Sequence, residues 1–397
     1  MDAGSFYSSP NALAPDYSRF RVGERLLLTG HSHQAWPDVG FDAQAAAWSD
    51  AAEFVDDKWD HAFAQADRVR EGFTRLLGDA GSGIALAPNT HELVVRLISA
   101  LPLRSRPRLV TTDGEFHTIR RQLDRLAEEG LEVVRVAESP LESVGARLAD
   151  AVDGRTSLVL VSLVFFDTGR IARGLGDLAA ACRRHGAGLL VDAYHALNVV
   201  PVSLADLGLD DAFVVGGGYK YCQLGEGNCF LRIPKNTDLR PVVTGWYSEF
   251  TALEERKRGE RVVYGRAGDR FAGATYDPTS HYRAAAVFRF FQDHGLTPAL
   301  LREVSQHQVG LLAREFDALD LDPAIISRDP VPLSEIAGFL ALRSPAATRL
   351  TRELHARGVR TDARGDILRL GPAPYLSDRQ LRDAMALLGE IVRQGPG

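Results

Sequence analysis

The sequence predicts an α/β fold, a mostly parallel sheet flanked by helices, with a small α+β domain at its C-terminal end. Three observations carry that prediction. Short apolar runs alternate with helix-length stretches from Ile84 to Asp192, the pattern of βαβ units. Two apolar runs stop abruptly, one at Asp192 and one at Gly216-Gly217-Gly218, as strands do where they leave a sheet. Beyond Arg283 the pattern changes to two long helical stretches and then short strands and helices, which reads as a separate lobe.

In order, residues 1–25 read as an irregular arm, and Leu26-Leu27-Leu28 lead into the loop TGHSHQAWPD. Phe41 to Leu77 is helical, broken near Asp56 and Asp57. Strands are expected at Ile84–Ala87, Arg108–Thr111, Leu131–Val136, Ser157–Leu163 and Leu189–Val191, each a short apolar run. Helices are expected between them at Asn89–Leu101, Phe116–Glu129, Leu141–Val152 and Asp177–His185. Ala212–Val215 and Phe230–Ile233 read as further strands. Lys235 to Thr279 carries more charge and glycine and less pattern, as an interface or lid would. Arg283–Leu319 is helical in two pieces around Gly295. Strands at Ile336–Leu342 and Ile367–Leu370 and helices at Ala346–Arg357 and Asp378–Val392 complete the chain. The expected division is an arm and pocket loop (1–40), a large domain (41–282) and a small domain (283–397).

Composition excludes several classes. The 397 residues are 45% apolar and 25% charged, ordinary for a globular protein. A formal charge of −6 offers no broad basic face, so nucleic acid is not an expected partner. Cys182, Cys222 and Cys229 have neither metal-type nor disulfide-framework spacing and fit a reducing compartment. The first twenty residues lack a basic segment followed by an apolar one, so no signal peptide is expected. No apolar run approaches the ~20 residues that span a bilayer. A soluble, cytoplasmic protein without a membrane partner is expected.

Four lysines occur in the chain, and Lys220 is the one set for chemistry. It follows the glycine run and Tyr219, as Asp192 follows its own strand. If those strands are neighbours, amine and carboxylate meet at the carboxyl edge of the sheet, where α/β folds bind ligands. A lysine amine condenses with an aldehyde to give a Schiff base. Pyridoxal phosphate is held in this way, with a carboxylate on its ring nitrogen. Lys58, Lys235 and Lys257 lie in polar segments and suit this less.

Other residues join this constellation, each with a plainer reading beside it. Asn89-Thr90-His91-Glu92 opens a helix directly after a strand. Asn89 is a good cap, and a helix N-terminus also takes phosphate. Tyr219 could add a hydroxyl to that phosphate. Phe116 can stack on a flat ring or serve as core. His195 either assists near Asp192 or is structural. Arg369 can fork a carboxylate or form a surface ion pair. His31 and His33 are too few for a metal site and read as part of a pocket-lining loop, so no metal is expected. Gly225-x-Gly227 lacks the strand and helix context of a nucleotide loop.

With these residues in place, the chain resembles the pyridoxal-phosphate enzymes of fold type I, class V aminotransferase superfamily, and within them the kynureninases. The resemblance runs from about Leu26 to Tyr375. It rests on Asp192-x-x-His195 with NVVPVSL following, on Tyr219-Lys220-Tyr221, on PVVTGWY at 241–247 and on RFAGAT at 270–275. It implies that Lys220 carries the cofactor, Asp192 pairs with the ring nitrogen and His195 sits beside the ring oxygen. Phe116 would stack on the ring, and Asn89, Thr90 and Tyr219 would hold the phosphate. Trp246 and Thr275 would reach that phosphate from a neighbouring subunit, which implies a homodimer with shared active sites. Arg369 would bind the substrate's α-carboxylate, and His31 and Ser32 would face the substrate. The sequence departs from kynureninases at Gly30–Gln34, where they carry GNSLG, at Gly218, where they carry serine, and at Glu249, where they carry histidine. An asparagine that many class V relatives carry near Phe166 is also missing.

The expected function is hydrolysis of the Cβ–Cγ bond of kynurenine or a related γ-keto amino acid to alanine and an aromatic acid. The alternative is a class V aminotransferase, epimerase or carbon–sulfur lyase. A cofactor-binding protein without catalysis is the third, opposed by the presence of both Lys220 and Arg369. Cysteine desulfurase is disfavoured, because no cysteine lies in the loop before Arg369.

Overall fold

The computed structural model describes residues 3–79, 81–252 and 261–395; Lys257 lies outside them. The arm is more ordered than an irregular segment. It folds into 3-10 turns at Ala3–Phe6, Ala14–Phe20 and Val22–Glu24, because Phe6, Leu13, Tyr17 and Val22 are all buried in the core. β1 (Leu26–Leu27) follows. The helical stretch then divides as expected, into α1 (Val39–Phe54) and α2 (Lys58–Leu76), at Val55 with a φ of 50°.

The alternating region gives β2 (Gly83–Ala87), α3 (Thr90–Ser99), β3 (Arg108–Thr112), α4 (His117–Glu128), β4 (Glu132–Val136), α5 (Val144–Asp150), β5 (Thr156–Ser162), α6 (Leu175–His185) and β6 (Gly188–Asp192). The helix expected from Leu141 begins as a 3-10 turn, Leu141–Ser143. β7 (Phe213–Gly217) and β8 (Cys229–Ile233) complete the sheet, and Trp246–Ala252 and Ala267–Phe271 form 3-10 turns beyond it. α7 (Thr279–Asp293) and α8 (Pro298–Ala318) flank Gly295, whose φ is 66°. Residues 282 and 283 both lie inside α7, which packs on α1 and α2.

The C-terminal part holds β9 (Leu340–Arg343), α9 (Ala347–Ala356), β10 (Val359–Arg360), β11 (Asp362–Arg364), β12 (Ile367–Leu370) and α10 (Asp378–Gln394). The strand expected from Ile336 starts only at Leu340. Before it, Gly338 packs against Tyr221 and Phe339 turns inward to be fully buried. β10 and β11 have no counterpart in the sequence reading; at two and three residues they are strands only because of their partners.

The main sheet runs β2-β8-β7-β6-β5-β3-β4. Pairs from β7 through β6, β5 and β3 to β4 are parallel, and β8 is antiparallel to both β7 and β2. Helices cover both faces, which is why the strand sequences are apolar throughout rather than alternating. In β5, Leu158 and Leu160 pack with Leu93 and Leu97 of α3. Val159 and Val161 point the other way, toward Leu148 of α5 and Leu178 of α6. A three-stranded sheet β11-β12-β9 is antiparallel. β1 pairs in parallel with β10, tying the segment before the TGHSHQAWPD loop to the C-terminal part. No helix among the described residues is long and apolar enough to cross a membrane.

Candidate functional site

β6 and β7 are adjacent and parallel, with Asp192 in register with Val215. Asp192 and Lys220 therefore emerge from neighbouring strands at the same edge. Glycine is required in the approach to the lysine for close packing. A side chain at Gly217 would collide with Tyr194 and Cys229, and one at Gly218 with Leu224. Tyr194 can then lean across β7 beside Tyr219, ring centroids 4.9 Å apart.

Lys220 is 6% exposed, and its Nζ lies 2.5 Å from His195 Nε2. Burial pushes the amine down to about 7; Asp192 resists that shift and Arg369 adds to it. His195 is buried too. Desolvation, then the charge of Lys220, hold its imidazole well below the ordinary histidine range, so it is neutral at physiological pH. Its Nδ1 is buried with no partner among the described residues. Asp192 accepts the Tyr194 amide at 2.8 Å. Burial raises its carboxyl, while that bond and Lys220 oppose the rise.

These groups line a cavity of about 260 Å3, near the ~300 Å3 lower end of small-molecule pockets. Phe116, Tyr219, Asn89, Thr90, Ser162, Phe166 and Cys229 complete its wall. Asn89 caps α3 by accepting the Glu92 amide at 2.9 Å. The reciprocal bond of a capping box is not made, because the Glu92 carboxylate turns to the Asn89 side chain and Arg96. The positive end of α3 thus borders the cavity. Pyridoxal phosphate fits this donor set. The lysine offers a partly neutral amine, Asp192 an acceptor at the strand end, Phe116 an apolar face and α3 an anion site. The orphaned, buried Nδ1 of His195 also calls for a polar partner.

The structure gathers Lys220, Asp192, His195, Tyr219, Asn89, Thr90 and Phe116 around one cavity. It places the other expected residues elsewhere. Trp246 and Thr275 touch each other on exposed ground, Nε1 to Oγ1 at 3.2 Å, away from the cavity wall. Glu249 does not line the cavity either. His31 is buried behind the cavity with its Nε2 2.7 Å from Asp362 Oδ1. Ser32 contacts His33, and His33 stacks on Tyr219 with ring centroids 4.7 Å apart. Arg369 is buried rather than on the surface, and its fork is taken by Asp362.

Three contributors escaped the sequence reading. Glu115 is a buried carboxyl bound by Thr112 Oγ1 at 2.7 Å and by the Ser162 hydroxyl and amide at 2.6 and 3.1 Å. Burial pushes it up to about 7 against those bonds, and Asp192 adds a little. Phe339 and Asp362 come from the C-terminal part. A faint signal existed for Glu115, which precedes Phe116 at a strand end; none existed for the other two.

No family model matches the chain. It is similar to the kynureninase of Xanthomonas euvesicatoria pv. vesicatoria (strain 85-10), 30% identical over 385 residues, 90% of this chain and 87% of that protein. An uncharacterized aminotransferase of Bacillus subtilis (strain 168), YcbU, is 23% identical over 333 residues, 82% of this chain and 84% of the relative. Among solved structures, C-DES with glycine covalently linked to its pyridoxal-phosphate cofactor superposes with a TM-score of 0.81 at 18% identity, over 95% of this chain and 98% of that one. The cysteine desulfurase of Thermococcus onnurineus NA1 gives 0.80, also at 18%, over 97% and 98%. The fold is therefore fold type I, and the likeness to kynureninase extends over nearly the whole chain. At that identity and coverage the relationship is one of family, and the chain belongs to the class V pyridoxal-phosphate-dependent enzymes related to kynureninase.

Proposed function

We propose that this enzyme is a kynureninase-like hydrolase, which cleaves the Cβ–Cγ bond of kynurenine or a related γ-keto amino acid. Water supplies a hydroxyl to Cγ and a proton to Cβ, and the products are an aromatic acid and alanine. The observation that carries the reading is the Lys220–His195 contact beside Asp192, in a chain 30% identical to a kynureninase. Pyridoxal phosphate, when bound, supplies an aldehyde for an amine and a ring that withdraws electrons from the substrate's Cα.

The residues divide the remaining work. Asp192, kept desolvated at the strand end, would hold a proton on the ring nitrogen. Phe116 and Tyr194, which line the cavity, would confine the ring, and Asn89, Thr90 and Tyr219 would hold the phosphate. Burial pushes the Lys220 amine far enough below the ordinary lysine range that it can attack as a nucleophile and later carry the Cα proton. Neutral His195 takes a hydrogen bond from the ammonium without adding a second charge. Arg369 would anchor the α-carboxylate.

A homodimer would complete the phosphate site with the neighbour's Trp246 and Thr275; their mutual contact on exposed ground supports that reading. All three cysteines are free and buried, which supports a reducing, cytoplasmic setting. Their thiols are pushed up, to about 12 for Cys182 and Cys229, which speaks against a sulfur-carrying cysteine. Incubation with kynurenine and 3-hydroxykynurenine should release alanine. A keto acid or pyruvate in its place would assign the site to the class V aminotransferase or lyase chemistry.

A further inference from the structure

Asp362 and Arg369 are register partners across the β11–β12 ladder. The guanidinium of Arg369 carries five N–H donors in a planar fork. Its Nε donates to Asp362 Oδ1 at 2.9 Å and its Nη2 to Asp362 Oδ2 at 2.5 Å, a side-on bidentate pair. Nη1 donates to the Phe166 carbonyl at 2.7 Å. These bonds leave one N–H on each terminal nitrogen. Asp362 Oδ1 is engaged a second time, by His31 Nε2 at 2.7 Å. Arg369 is 3% exposed and His31 fully buried.

The cluster adjoins the lysine cavity. The Phe339 ring lies 4.7 Å from the His31 ring, 6.3 Å from the His195 ring and 5.8 Å from the guanidinium carbon of Arg369. Phe166, whose carbonyl holds Nη1, lines the cavity itself. The three polar residues are thus packed around one aromatic wedge at the back of the site.

We propose that Asp362 is a positioning residue for the substrate's α-carboxylate: it fixes Arg369 side-on, so that the carboxylate is met end-on by Nη1 and Nη2. This rests on the reading of Arg369 as the carboxylate anchor of an amino-acid enzyme. Arginine sits on a flexible stem, and holding it in place beforehand removes an ordering cost from binding. A carboxylate on a neighbouring strand is a rigid holder. The competing arrangement, in which Asp362 leaves and the substrate takes the side-on fork, would strip the partly buried Asp362 carboxylate of both Arg369 and His31 and leave the fully buried His31 without its acceptor. Removing a buried charge's partners is costly, so the clamp is the stable state. His31 holds the outer oxygen of the clamp as a neutral donor.

The test uses holoenzyme, titrated with L-alanine and with ethylamine, which lacks the carboxylate, while the absorbance of the bound cofactor is followed. Asp362→Asn should weaken L-alanine about tenfold or more, the size of a lost hydrogen bond to a charged group, and leave ethylamine within about twofold. Asp362→Glu keeps the charge but shifts it by a methylene, and should show the same selective loss with the cofactor retained. Unchanged or tighter alanine binding would overturn the clamp. Equal weakening of both ligands, or loss of cofactor by both variants, would reduce Asp362 to scaffold and overturn it too. So would a wild-type enzyme that does not distinguish alanine from ethylamine. If kynurenine is not cleaved but the selective loss is seen, the proposed reaction fails and this inference stands.

Discussion

Lys220 is a buried cation whose surroundings hold it near neutrality, and this shapes both reactivity and stability. Its amine at about 7, against ~10.4 in an unfolded chain, means that the rate of pyridoxal-phosphate capture by the apoenzyme should rise through pH 7. An inflection near the ordinary lysine range would contradict the burial argument. Borohydride should fix the cofactor to Lys220, and Lys220→Met should prevent that. The same shift has a stability consequence. Below pH 7 the amine is protonated in both states, and the folded state bears the full cost of burying it. Between about 7 and 10.4 the unfolded state binds more protons, so stability rises with pH. Apoenzyme carrying Lys220→Met should therefore melt higher than wild-type apoenzyme at pH 6–7, and the difference should shrink as pH climbs toward 10. Melting curves across that range check it. A gain that is independent of pH would point to packing alone.

At the scale of elements, α3 joins the sheet to the cavity wall. Its place between two strands was plain, and so was Asn89 as its cap. Asn89→Ala removes the acceptor of the Glu92 amide and should cost about 1 kcal/mol. If the end of α3 also takes phosphate, the variant should lose cofactor affinity as well. Melting of the apoenzyme separates the first effect from the second, measured by equilibrium dialysis. Loss of stability with no change in cofactor affinity would leave Asn89 a plain cap. The strands of the parallel series were legible because burial on both faces makes them continuously apolar. β10 and β11 were not, since two or three residues carry no periodicity. The late start of β9 has the same origin: Phe339 leaves the strand direction to fill a space among His31, His195 and Arg369, and nothing local announces it.

For the molecule as a whole, the segment after β8 stands out by its exposed apolar side chains. Val242 is 81% exposed and Trp246 45%, with Val243 and Phe250 also open to solvent. Exposed apolar side chains gathered in one segment, with the Trp246 and Phe250 rings in contact, are what an interaction surface would offer. With Trp246 and Thr275 read as donors to a neighbour's phosphate site, a homodimer is expected, with an interface of the obligate kind, above about 2,000 Å2 in total. Sedimentation of the holoenzyme should give a dimer, and Trp246→Ala should weaken cofactor binding. A monomer with full cofactor occupancy would show that each site is complete within one chain.

The sequence by itself determined the alternating architecture, the lysine and its carboxylate, and the likeness to kynureninases. Each of these is written in local pattern: apolar runs, a glycine approach, an acid at a strand end. Tertiary structure alone decided which strands are neighbours, and hence that Asp192 and Lys220 share an edge. It decided that Arg369 is buried against Asp362 instead of standing free. It also decided that His31, three residues beyond Leu28, belongs to the same cluster as residues more than 300 positions away. Such contacts join residues far apart in sequence, and the charges they bury are stable only in each other's company. No single segment can reveal a pair whose two halves would each be ordinary alone.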